Sequence, residues 1–131
     1  MLSKRLCEVS LCILLGLHAL SAHARDLRNI NPTDQELMML PPYCHARLKG
    51  DANTKRMWSN QMGNDIFVHL HHYCFGLNFM NRMMLTVDNK EKTFLAQRAA
   101  TNFDYVIQRW PPSHPLTVEA RQRKAQVRFN Q

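Results

Sequence analysis

The chain has 131 residues, 45% of them hydrophobic, and a formal net charge of +7 with neutral histidines. That length supports one small core and excludes a second, while the basic balance favours acidic partners or anionic surfaces. No Gly-rich phosphate loop, serine-nucleophile motif or suitably placed carboxylate pair occurs, so no enzyme class finds a foothold and no catalysis is expected.

The first 24 residues read as a leader. MLSKR supplies a positive n-region, Leu11–Leu20 a short apolar run, and SAHA a small-residue cleavage motif after Ala24. About ten apolar residues fall short of the roughly twenty that span a bilayer. Cys7 and Cys12 each follow a leucine, where a lipid-modification box needs a small residue, so both leave with the leader. The expectation is an exported, periplasmic domain over residues 25–131, one charge less basic than the whole chain. Nucleic acid is not an expected partner in that compartment.

Two cysteines then remain, Cys44 and Cys74, and an oxidising compartment favours their pairing. A bridge between them closes a loop of about thirty residues and stabilises by roughly 3–4 kcal/mol in the chain-entropy picture. The alternative is two separate buried thiols.

Residues 25–32 read as an extended lead-in. Thr33 with Glu36 three residues on is a capping-box signature, and the helix it starts must stop at Leu40 because Pro41 and Pro42 follow. Pro42 suits the first position of a second short helix, closed by Gly50. A third, about Thr54–Met62, ends at Gly63.

Two long helices carry the argument. The first is expected to run unbroken for about twenty residues from a cap at Asn64 or Asp65. Ile66, Leu70, Tyr73, Leu77, Met80 and Met84 fall on one line, with Phe67 and Cys74 at its edge, and Val68, Phe75 and Phe79 form a second stripe nearly opposite. A helix apolar on two sides is sandwiched between neighbours. The second helix, about Glu91–Trp110, puts Leu95, Ala99, Phe103, Val106 and Trp110 on one face and ends at Pro111–Pro112. A five-residue connection folds the pair into an antiparallel hairpin over about 65–111. Leu116–Phe129 follows as a capping helix with helical spacing at Val118, Ala125 and Phe129. No strand-like alternation appears, and the fold expected is all-α.

Ala99, Phe103, Val106 and Pro111 have the spacing of the small, aromatic, small and proline positions of a tetratricopeptide repeat, and Gly76 with Phe79 matches the glycine and aromatic of that motif's first helix. The hairpin therefore resembles such a repeat, with both helices longer than usual and Val106 bulkier than the usual alanine. LPPYC, HHYCFGLNFMNR and NFDYV together are also similar to a group of small exported proteobacterial proteins with a tetratricopeptide-like hairpin, a resemblance that implies no activity. It implies a protein-interaction or assembly module, with self-association as one outcome, whose first helix lines a concave groove. His71, Asn78 and Arg82 form a polar line on that helix at spacing i, i+7, i+11; the resemblance makes them partner-binding candidates, and the simpler reading is a solvated face. Arg121, Arg123, Lys124 and Arg128 make the last helix basic, suited to a membrane or cell-wall surface or simply solvated.

The segment from Phe67 to Arg82, FVHLHHYCFGLNFMNR, invites a metal reading. Ligands on a helix must converge on one face, yet His69, His71 and His72 are expected to diverge around theirs. No HExxH, second CxxC or CxxCH accompanies them. Surface and interhelix hydrogen bonding is the simpler reading of the histidines, and core packing that of the eight methionines. No cofactor is therefore expected. The alternative function is a periplasmic copper- or zinc-binding accessory protein using His, Met and Cys ligands. Cys74 with His71 one turn away also forms a thiol–imidazole pair, but its place at the apolar edge argues for burial.

Overall fold

A computed structural model describes residues 26–128. The expected leader, with Cys7 and Cys12, lies outside the described residues, as does Phe129. Every regular element among the described residues is helical: α1 (Asp34–Met38), α2 (Pro42–Lys49), α3 (Ala52–Met62), α4 (Asn64–Phe67), α5 (Leu70–Leu85), α6 (Asn89–Arg109) and α7 (Pro115–Arg128).

The helix starts follow from local chemistry. Thr33 caps α1 through a complete capping box, its hydroxyl accepting from the Glu36 N–H while the Glu36 carboxylate accepts from the Thr33 N–H. Pro42 opens α2, as its missing N–H permits. Asp51 and Asp88 cap α3 and α6 by accepting from Thr54 and Glu91. Gly63 separates α3 from α4 at φ 90°, a left-handed conformation open to glycine.

The core sits between α5 and α6. From α6 it receives Leu95, Ala99, Phe103, Val106 and Trp110, as their spacing predicts, and from α5 Leu70, Tyr73, Leu77 and Met80. Each fully buried side chain of this size stabilises by about 1.5–3 kcal/mol. Gly76 sets how closely the two helices approach: a β-carbon there would stand 2.7 Å from Cε1 of Phe103. Of the second stripe, Phe75 and Phe79 are buried, so α5 is enclosed on both sides, while Val68 lies in the turn before it and is exposed. α1 and α2 cover one side, and the Cys44–Cys74 disulfide fastens α2 to the middle of α5. α7 packs along α6.

Four expectations about the helices need correction. The first long helix is broken: α4 ends at Phe67, Val68 and His69 form a turn, and α5 begins at Leu70. Arg47 explains the break, because its Nε and Nη2 donate to the Phe67 and Val68 carbonyls at 3.0 and 3.1 Å, taking acceptors that a continuous helix would reserve for its own N–H groups. The connection between α5 and α6 is shorter than five residues, because the Asp88 cap starts α6 at Asn89. Finally, α7 buries Thr117, Ala120 and Val127 rather than Val118 and Ala125, which are exposed. It packs mainly on α6 and also touches α5. Met84, placed on the apolar stripe of α5, is likewise exposed, at the end of that helix beyond its neighbours.

Candidate functional site

The polar line His71, Asn78 and Arg82 is not an open groove. Asn78 is 1% and Arg82 3% exposed, and the two ends of the line face the N-terminal helices. Arg82 lies against α1. Its Nε and Nη2 donate to the two oxygens of Glu36, each at 2.9 Å. Its remaining donors reach three alternate carbonyls of the lead-in: Leu27 at 2.8 Å, Asn29, and Asn31 at 3.3 Å. One guanidinium thus spends all five N–H groups on a carboxylate and a strap that, contrary to the extended lead-in expected, contains a turn closed by the Asn29 N–H on the Asp26 carbonyl. The Arg82 hydrogen bond is the main reason the Glu36 carboxyl is held down to about 2, against the opposing effect of burial. Asn78, between the two ends, has no hydrogen-bond partner for either side-chain polar atom among the described residues. Arg82 therefore joins the hairpin to its N-terminal cover, and Asn78 is buried beside it.

His71, at the other end of the line, contacts α2 through Arg47, whose Nη2 lies 3.2 Å from its Nδ1. Burial first, then the nearby His72 and Arg47, push its imidazole down to about 4, against a smaller upward pull from the Val68 carbonyl. His72 is lowered too, chiefly by burial.

The three imidazoles, expected to splay apart, are neighbours. The His71 and His72 ring centroids are 4.3 Å apart. His72 stacks on Tyr105 at 3.6 Å, His69 lies 5.6 Å from the same ring, and the Arg109 guanidinium sits 3.6 Å over it. Two features create this arrangement: the turn at Val68–His69, and the aromatic surface that Tyr105 offers from α6. Nδ1 of His69 pairs with the Tyr105 hydroxyl at 3.3 Å and Nδ1 of His72 with Oδ1 of Asn102 at 3.1 Å. Among the described residues no three His, Cys, Asp or Glu side chains are arranged to hold a metal ion, and both sulfurs are spent on the disulfide. Met80 and Met83 are core residues, while Met38, Met39 and Met84 are exposed. The cluster is a packed, hydrogen-bonded group in which burial disfavours the charged forms of His71 and His72, and the thiol–imidazole pair does not form.

The open concavity lies elsewhere. A cleft of about 460 Å³ runs between α6 and α7, lined by Asp104, Ile107, Arg121, Lys124, Ala125 and Arg128. Lys124 is ion-paired with Asp104, and Nη1 of Arg121 donates to the Pro112 carbonyl at 2.9 Å. The basic run on the last helix gave a partial signal for this cleft, since three of the four cations singled out there line it. Arg123 turns away to pair with Glu119. The sequence indicated Glu36 only as a capping residue and did not indicate Arg47 or Tyr105, since the contacts these three make here reach partners 20 or more residues distant.

No helix among the described residues is long and apolar enough to cross a membrane. No known protein family, curated protein or solved structure matches the chain.

Proposed function

We propose that this chain is a periplasmic protein-interaction or assembly module built on a tetratricopeptide-like hairpin, without catalysis of its own. The observation that carries this reading is the open cleft between α6 and α7, which presents an apolar floor and a basic rim on the outside of a covered hairpin. Additional support comes from the hairpin itself. Gly76 sits against Phe103, Ala99 is fully buried at the interface, and α7 stacks on α6 as the first helix of a following unit would. In a stacked-helix architecture, the last helix leaves an unsatisfied edge for a partner or a capping element. The groove that such repeats ordinarily offer is filled here by α1, α2 and the strap, which moves the binding surface to the cleft.

A photo-reactive amino acid in place of Ala125, introduced in cells that export the protein, tests this directly. Irradiation is expected to yield discrete protein adducts at position 125 and none at Asn60, an exposed control on α3. Absence of adducts at position 125, or recovery of the protein from the cytoplasm alone, would refute the module.

A further inference from the structure

We infer that the α6–α7 cleft docks an acidic amphipathic helix of a partner protein, an assignment that rests on the interaction-module reading and names the chemistry of its ligand. Its lining residues form two parallel rows. Asp104 and Ile107 are spaced i, i+3 on α6, and Arg121, Lys124, Ala125 and Arg128 are spaced i, i+3, i+4, i+7 on α7. The α7 row rises about 10 Å, two helical turns. Ile107, Ala125 and the alkyl stems of the long cations form the floor, with the charged heads at the edges.

Charge selects the ligand. Three cations line the cleft against one carboxylate, and Asp104 is already engaged by Lys124. Arg121 spends one donor on the Pro112 carbonyl, which anchors the side chain and leaves other N–H groups for a carboxylate. Arg128 makes no hydrogen bond or ion pair among the described residues. A second copy is a poor match, because each copy carries a formal +7 and like charges repel. The chain's own residues 129–131, Phe-Asn-Gln, bring no acidic side chain and are too few to form a helix along the cleft.

Backbone chemistry selects the ligand's conformation. Both walls are helices whose main-chain groups are bonded internally, so an extended peptide would find no ladder to join. A helix arrives with its own backbone satisfied and offers side chains alone, apolar ones to the floor and carboxylates to the rim.

The experiment measures fluorescence anisotropy of a labelled peptide of about fourteen residues, long enough to cover the α7 row with a turn to spare at each end. Leucines stand three and four apart, with glutamates elsewhere. Saturable binding is expected to the full chain. A peptide of identical composition with leucines moved off one face, and another with lysine for glutamate, are each expected to bind at least tenfold more weakly. Arg121→Glu combined with Arg128→Glu is expected to weaken binding at least tenfold while the circular dichroism spectrum stays the same. Raising salt from about 50 to about 500 mM should weaken it comparably. Equal affinity for the permuted peptide, or undiminished binding by the double variant, overturns the inference. So does stronger capture on phosphatidylglycerol vesicles that disappears in that variant, which would assign the cleft to a membrane surface. Protein adducts at position 125 without peptide binding overturn the acidic helix and leave the module standing; loss of both results removes both.

Discussion

Glu36→Gln removes one charge from the buried pair without changing its shape. The wild-type carboxyl is held at about 2 against a usual 4.5, which corresponds to about 3 kcal/mol of stability at neutral pH at roughly 1.4 kcal/mol per pH unit. Because the folded value is depressed, that stabilisation is complete above pH 4.5 and is lost as pH falls through 4.5 towards 2. The amide leaves Arg82, only 3% exposed, without a counter-charge, and breaking such a pair from one side costs about 3–5 kcal/mol. Urea denaturation at pH 7 is therefore expected to show a loss of about 3 kcal/mol, or a midpoint about 15 °C lower on heating for a domain of this size. The decisive measurement is the same denaturation repeated down to pH 2. Wild type should lose about 3 kcal/mol more than the variant across that window, so that the two curves converge. Parallel curves, or a loss under about 1 kcal/mol at pH 7, would refute the claim that this pair holds the N-terminal cover in place.

Gly76→Ala should destabilise by about 1–2 kcal/mol despite alanine's better helix propensity, because its β-carbon meets the Phe103 ring at 2.7 Å; Phe103→Leu in the same background should recover part of the loss in urea denaturation. Replacing Cys44 and Cys74 together by alanine removes a link across 30 residues and should cost about 3–4 kcal/mol, measured against oxidised wild type. His71, pushed down to about 4 from 6.5, should remain neutral in the folded state until pH approaches 4, as followed by the NMR shift of its ring. Since the unfolded imidazole charges first, the associated stability is whole above pH 6.5 and falls away between 6.5 and 4; His71→Asn should flatten that slope and leave the lower Glu36 window untouched. Arg47→Ala should destabilise by about 1–3 kcal/mol through the two carbonyls it leaves unpaired at the Phe67–Val68 turn.

The helices were legible wherever the signal was local. The Thr33–Glu36 box, the Pro41–Pro42 stop, Gly63 and the five-residue face of α6 each depend on neighbours within a few positions, and each stands where its spacing puts it. The all-α class follows from the same kind of reading, whereas the pairing of Cys44 with Cys74, 30 residues apart, was expected only from their being the two cysteines beyond the leader. The site was far less legible. A helical wheel placed His71, Asn78 and Arg82 on one line, which is correct, but it does not say whether water or protein lies in front of that line. The answer came from Glu36 and Arg47, 46 and 24 residues away from their partners. The break at Val68–His69 escaped notice for the same reason, because its cause is an arginine on another helix.

Cys44 and Cys74 both have no exposed surface. Thiol–disulfide exchange requires a thiolate to approach a disulfide sulfur in line, and the folded chain leaves no such approach to either sulfur. The bond is therefore reachable only when α2 parts from the hairpin. A reductant added to the folded protein is accordingly expected to leave the bond intact until denaturant frees α2, as free-thiol titration would show.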